Sequence, residues 1–181
     1  MKKITSLLSI LSLVLIAHTT SARTYIGGGT GKAEFDYSDI DDGDAEKYYI
    51  GFQPAGKLYS FEIAVLDSGE ADIDNNPFGF ESIRVDGYNI SAVYNTAPRF
   101  GFKQPTNLFF KLGYYLVETE VKTTTTSFTE DSNGLSFGLG IDYAINDAFS
   151  LRADLEGLYK VDDFADDEIV TFITFGAQIN F

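Results

Sequence analysis

The sequence predicts an all-β fold, an eight-stranded antiparallel up-and-down transmembrane β-barrel that follows an N-terminal signal peptide. Three observations predict it. Apolar residues recur with a period of two along most of the chain, which is the side-chain period of a β-strand. No apolar run approaches the length of about 18 residues that a transmembrane helix needs, so a chain in lipid must form a closed barrel. The chain also begins with an export signal.

The first 22 residues have the organisation of a cleaved signal peptide. Lys2 and Lys3 give a basic start, residues 7–17 are almost wholly apolar, and Ala22 ends a stretch of small residues. The alternative, a retained membrane anchor, would need an apolar run of about 20 residues. We therefore expect residues 1–22 to be removed after passage through the inner membrane, which leaves a barrel domain of residues 23–181.

Eight segments alternate between an apolar and a polar face. In residues 149–161 the odd positions are apolar, whereas the even positions carry four charges. An even number of such segments is typical of an outer-membrane barrel. Ile83 and Val85 are out of phase with Tyr88, which predicts a β-bulge near Gly87. The eight segments are residues 25–35, 48–53, 59–65, 88–95, 110–116, 135–143, 149–161 and 169–181.

The connections between these segments alternate in length, and most of the acidic residues lie in the long ones. The long connections at one end hold 20 of the 27 acidic residues, and that end is therefore predicted to be strongly negative. Such a charge argues against nucleic acid as a partner, because phosphate binding needs a basic surface. The acidic connections are residues 36–46, 67–81, 118–134 and 162–168, and residues 95–107 form a further long connection at the opposite end.

The apolar faces are predicted to contact lipid and the polar faces to line the lumen. A charge facing lipid at the middle of the bilayer costs about 2–4 kcal/mol, whereas opposite charges inside the barrel can pair. A soluble barrel with an apolar interior has the same period, but eight strands enclose too little space for so many aromatic side chains. The predicted lumen network comprises Lys32, Glu34, Glu62, Lys111, Asp142, Arg152, Asp154, Glu156 and Lys160.

One aromatic residue from each segment is expected at the short-turn end of the barrel, on the outer face. Rings at one level are typical of the girdle that lies at a membrane interface. The eight predicted girdle residues are Tyr25, Phe52, Tyr59, Tyr94, Phe110, Tyr143, Phe149 and Phe181.

Local patterns that could carry chemistry are incomplete. Residues 27–32 resemble a phosphate-binding loop but lack its first Gly and its Ser or Thr. Residues 72–76 have calcium-loop spacing without the Gly and Glu that complete such a loop, which leaves loose binding of divalent cations by the acidic loops as an alternative. The single histidine, His18, lies in the signal peptide and there is no Cys, so Ser–His or Cys–His catalysis is excluded from the barrel domain. We therefore expect no enzyme activity, no catalytic residue, no cofactor and no dedicated metal site.

The last segment alternates Phe175, Ala177 and Ile179 and ends in Phe181. Together with the signal peptide and the eight segments, this end resembles the OmpA-like and OmpX-like small outer-membrane barrels of Gram-negative bacteria. In that family, such a C-terminus (here Phe175, Ile179 and Phe181) is the signal that the barrel-assembly machinery reads. The resemblance implies a monomer in the outer membrane, in contact with lipid and lipopolysaccharide.

Two functions are compatible with these features. The resemblance implies a non-enzymatic barrel that supports envelope integrity and presents acidic surface loops for adhesion or for contact with cations and lipopolysaccharide. The alternative is a narrow, cation-preferring, porin-like channel, because negative loops concentrate cations at a pore mouth. An eight-stranded barrel is only wide enough for its own side chains, which argues against an open pore.

Overall fold

The computed structural model describes residues 22–36, 39–74, 79–96, 105–159 and 169–181. Apart from Ala22, the predicted signal peptide lies outside the described residues, as do Lys160, the acidic connection 162–168 and most of the connection 95–107. Within the described ranges, no helix is long and apolar enough to cross a bilayer.

Eight antiparallel strands close into a barrel, which confirms the predicted fold class. Each strand pairs with the next along the chain, and the first pairs with the last, so the sheet has no open edge along the wall. A ninth, two-residue strand, β4, pairs with β5 beside the barrel mouth. The strands are β1 (Ala22–Phe35), β2 (Gly43–Pro54), β3 (Tyr59–Asp67), β4 (Ala71–Asp72), β5 (Phe80–Asn95), β6 (Thr106–Thr123), β7 (Ser127–Ala144), β8 (Phe149–Tyr159) and β9 (Ile169–Asn180).

The hairpin of β6 and β7 is much longer than the sequence pattern predicts. Residues 118–134 are not a long loop: the two strands remain paired up to Lys122 and Ser127, and a short turn joins them. Outside the membrane both faces of a strand meet water, so the apolar alternation disappears although the backbone ladder continues. The β-bulge predicted near Gly87 is also absent, because the register of β5 on β6 is continuous from Ser82 to Asn95 and shifts between Phe80 and Ser82.

The outer face carries the apolar band that the alternation predicts. On β6 and β7, exposed apolar side chains fill alternate positions from Leu108 to Leu116 and from Leu135 to Tyr143. Seven of the eight predicted girdle residues have the outward-facing parity. The eighth is a correction: Tyr25 points into the lumen, where it is fully buried.

Several aromatic rings inside the barrel lie across a directly paired glycine. Gly27 pairs with Tyr49, and Gly140 pairs with Phe109. A Cβ added at either glycine would overlap the ring of its partner. The glycines therefore provide the space that lets large rings lie flat inside a narrow barrel.

Candidate functional site: the lumen and its outer rim

A network of buried ion pairs crosses the middle of the lumen. Lys111 of β6 contacts Glu62 of β3 at 2.7 Å and Asp154 of β8 at 2.7 Å, and its distance to Glu156 is 3.2 Å. Lys47 of β2 contacts Asp154 at 2.8 Å and also pairs with Glu156. These side chains are at most 3% exposed, so each charge depends on its neighbours and not on water.

Arg152 occupies the centre of this network between two aromatic rings. Its guanidinium carbon lies 4.4 Å from the centre of the Tyr49 ring and 4.1 Å from the centre of the Phe109 ring. One guanidinium nitrogen also donates to Glu62 at 2.9 Å. A planar cation between two π faces and a carboxylate is held by packing, charge and hydrogen bonding together. Asp142 lies farther away, 3.8 Å from Nε of Arg152.

A neutral layer of amides and hydroxyls fills the lumen below the ion pairs, towards the short turns. Asn180 donates to Ser150 at 3.1 Å, and Asn107 donates to Asn95 at 3.0 Å. These residues belong to strand ends from four different strands, which brings them to one level of the barrel. Arg152 reaches this layer through a weak 3.5 Å contact with Gln178.

An apolar layer fills the lumen above the ion pairs, towards the long loops. This layer is unexpected, because the alternation predicts a polar face along the whole lumen. Its members are all less than 5% exposed. They come from seven of the eight wall strands, that is, from all of them but β7. They are Ala33, Ala45, Leu66, Val85, Val117, Leu158, Val170 and Phe172. Three stacked layers therefore fill the described lumen.

The structure places most, but not all, of the predicted lumen charges together. Glu62, Lys111, Asp142, Arg152, Asp154 and Glu156 line the lumen. Lys32 and Glu34 do not, and their prediction is wrong: both are exposed on the outer side of β1, where the Lys32 side chain is 59% exposed and pairs with Asp42 at 3.1 Å. Because Gly27, Gly28, Gly29 and Gly31 have no side chains, the sequence of β1 does not show which parity faces inwards.

Lys47 is a network member that the sequence pattern missed. It shares the inward parity of Tyr49 and Gln53, but the predicted segment begins at residue 48, whereas β2 begins at Gly43. Extending the alternation by one inward position would have found it.

The rim of the barrel carries a row of acidic residues on its outer face. They occupy directly paired positions on five neighbouring strands, just beyond the apolar band. Like charges directly opposite each other in a sheet are destabilising, so such a row favours a cationic partner. We call this row the acidic ladder, and it comprises Glu46, Asp67, Asp86, Glu118 and Asp131.

Two cations of the strands lie close to rim carboxylates. Arg84 pairs with Asp67 and lies 4.0 Å from Asp86. Further out, Lys122 donates to Glu70, and this hydrogen bond holds the pKa of the Glu70 carboxyl below its ordinary value. In the part of the chain that the structure describes, no group of three or more acidic residues is arranged to hold a metal ion by itself.

The closed barrel agrees with a comparison of the sequence with known families. A family described as "Outer membrane protein beta-barrel domain" matches residues 4–181. The chain belongs to this family. The membership confirms the predicted resemblance and places the barrel in the bacterial outer membrane. No curated protein sequence matches the chain at a significant level.

Solved structures of small outer-membrane barrels have the same fold. Neisserial surface protein A is 16% identical, with a TM-score of 0.64, over 90% of this chain and 98% of that one. Ail, the attachment invasion locus protein of Yersinia pestis, is 13% identical, with a TM-score of 0.59, over 90% of this chain and all of that one. OprG of Pseudomonas aeruginosa is 11% identical, with a TM-score of 0.59, over 90% and 97%. At these identities the likeness shows the fold alone.

Proposed function

We propose that this member of the outer membrane protein beta-barrel domain family is a non-enzymatic surface barrel that supports envelope integrity. Its partners are lipopolysaccharide and the divalent cations bound to it, which it contacts through the acidic ladder; the acidic loops add negative charge around the ladder but do not hold the cations themselves. The observation that carries this proposal is the filled lumen: if the interior is occupied by the chain's own side chains, the outer surface is what remains for function.

Two stacked barriers support a surface function over transport. The ion-pair layer would present a permeating ion with buried charges that are already paired with one another. Above it, Leu66, Val85 and Leu158 are at most 1% exposed and offer no hydrogen-bonding group. A hydrated cation that entered this apolar layer would lose its water without compensation. We therefore infer that the barrel in this conformation does not conduct.

The acidic ladder supports cationic partners. Divalent cations prefer oxygen ligands. A protein often supplies only one or two carboxylates to the cation, and phosphate groups of a second molecule supply further ligands. A cation held between a ladder carboxylate and a lipid phosphate would relieve the repulsion between neighbouring acids. Ail of Yersinia pestis has been crystallised with the heparin analogue sucrose octasulfate. The ladder here would repel such a polyanion, so we infer a different partner chemistry for this barrel.

The alternative function is a narrow, cation-preferring channel, which the negative rim favours. Single-channel recording of the refolded barrel domain in a planar bilayer separates the two functions. We expect insertion without conductance steps. Reproducible cation-selective steps that weaken in Asp154→Asn would establish the channel and overturn the surface proposal.

Cation-mediated contact is tested by binding of lipopolysaccharide to the barrel in phospholipid nanodiscs, with Mg²⁺ and then with EDTA. We expect Mg²⁺-dependent binding that falls at least about tenfold in the double variant Glu118→Gln/Asp131→Asn, since both positions belong to the ladder. The matched control, Asp39→Asn/Asp74→Asn, removes the same charge from loops beside the ladder and should retain most of the binding. Binding that ignores EDTA, or that survives loss of both ladder carboxylates, would contradict the proposal.

A further inference from the structure

A groove with a volume of about 640 Å³ runs along the outer face of the barrel, over β9, β1, β2 and β3. Its floor is at Gly28, where β1 presents no side chain between Ile26 and Thr30. Tyr48 is paired directly with Gly28 and its ring lies against this position, and Phe175 stands on the other side. The groove exists because one outward position of the wall is a glycine with large rings beside it.

The groove lies inside the lipid-facing band. Its lower part is lined by Ile26, Ile50 and Ile63, which belong to the same outward face as the aromatic girdle. Its upper end is polar, with the Thr30 hydroxyl and the Glu46 carboxylate at the level of the acidic ladder. An occupant of the groove therefore meets apolar side chains along its length and hydrogen-bond acceptors at the outer end.

We propose that this groove binds one acyl chain of a lipopolysaccharide molecule from the outer leaflet, with the polar linkage of that chain beside Glu46. Most of the groove, from Ile26 to Phe175, faces the hydrocarbon of the membrane, so an acyl chain is the group that fits along it. Its volume falls within the range of pockets that hold small ligands, about 300–1,000 Å³. This inference adds a direct lipid contact to the proposed function and does not need a bridging cation.

The chemistry at the upper end selects the kind of lipid. A carboxylate accepts hydrogen bonds and repels phosphate, so the group beside Glu46 should carry N–H or O–H donors. The acyl chains of lipopolysaccharide provide such donors, because several are joined to the sugar by amides and carry a hydroxyl near the linkage. The ester-linked chains of phosphatidylethanolamine offer no donor at that position. Tyr48 donates its own hydroxyl to Glu46 at 3.2 Å, which orients the carboxylate at the mouth.

Native mass spectrometry of the refolded barrel domain tests the proposal, with lipid A and phosphatidylethanolamine titrated in EDTA. EDTA removes the cation bridges of the proposed function, so the two ideas fail separately. We expect one lipid A to be retained at least about tenfold more strongly than phosphatidylethanolamine. Equal retention of both lipids would overturn the assignment to lipopolysaccharide, and a dimer without bound lipid would show that a second copy fills the groove.

Three variants locate the lipid. Val65→Trp places a large apolar side chain into the groove from β3 and should reduce lipid A retention at least about tenfold. Leu139→Trp makes a similar change on β7, on a part of the band outside the groove, and should retain lipid A like the parent. Glu46→Ala removes the hydrogen-bond acceptor, which Gln would keep, and should lower retention of lipid A without changing that of phosphatidylethanolamine. If Val65→Trp folds, as shown by the heat-dependent gel mobility of folded barrels, and still retains lipid A, the groove is not the binding site.

Discussion

Replacing Glu62 by Gln is expected to destabilise the barrel strongly while leaving its shape unchanged. The Glu62 carboxylate accepts hydrogen bonds from Lys111 at 2.7 Å, from Arg152 at 2.9 Å and from the Tyr25 hydroxyl at 3.2 Å. Gln fills the same volume and can still accept from Tyr25, but it carries no charge. The variant therefore isolates the contribution of one buried negative charge.

The expected loss of folding stability follows from the carboxylate contacts that Lys111 and Arg152 retain in the variant. Lys111 keeps Asp154 at 2.7 Å, so most of its pairing survives. Arg152 keeps only longer contacts, 3.6 Å to Asp154 and 3.8 Å to Asp142. Breaking one buried ion pair costs about 3–5 kcal/mol. We expect the lower end, about 3 kcal/mol, which lowers the folding equilibrium constant by about two orders of magnitude.

Urea-induced unfolding of the barrel in phospholipid vesicles, followed by circular dichroism, measures this loss. Glu46→Gln on the outer face is the matched control and should change the free energy of unfolding by less than about 0.5 kcal/mol. In a double-mutant cycle with Arg152→Gln, the second substitution should cost much less once Glu62 is already neutral. A loss below about 1 kcal/mol in Glu62→Gln would refute this expectation, because it would mean that the two rings and the longer contacts with Asp154 and Asp142 are enough to stabilise Arg152.

Three further outcomes are expected. Gly140→Ala should cost about 1–3 kcal/mol in the same unfolding assay, because the new Cβ overlaps the Phe109 ring, while Gly138→Ala, whose Cβ would be 2.9 Å or more from its neighbours, should cost less. Leu66→Ala should cost about 2–5 kcal/mol through the cavity it leaves, yet remain electrically silent in a planar bilayer; conductance steps would show that the apolar layer is the sole barrier. Phe181→Ala should reduce the amount of barrel assembled in cells but hardly change refolding of the purified chain, and equal losses in both assays would contradict a role in the assembly signal.

The alternation of side chains predicted the architecture and most of the lumen charges. On β8 it holds from Phe149 to Glu156, so Arg152, Asp154 and Glu156 could be assigned to one face and the apolar positions to the other. Once lipid is outside, the cost of a charge in hydrocarbon fixes which face turns inwards. On β1 the alternation does not reveal the inward face, because four glycines interrupt the pattern and the exposed charges of Lys32 and Glu34 lie near the rim, in water.

Features that depend on pairing between strands could not be read from one strand at a time. The acidic ladder consists of residues far apart in the chain, and only the register brings Asp86 opposite Asp67 and Glu118. The position of Arg152 between the rings of Tyr49 and Phe109 depends on two glycine–ring pairs, which lie on opposite parts of the wall. Neither Lys47 nor the apolar layer follows from composition, because strand length decides how far the inward face extends.

By itself, the sequence determined the fold class and the separation of apolar from charged residues, and it predicts an export signal. A period of two and the absence of long apolar runs leave a closed barrel as the solution for a chain in lipid. The tertiary structure alone decided how the lumen is layered, which charges meet and where the groove at Gly28 opens. These properties arise from closure of the barrel, because curvature and register bring side chains from non-consecutive strands within contact distance.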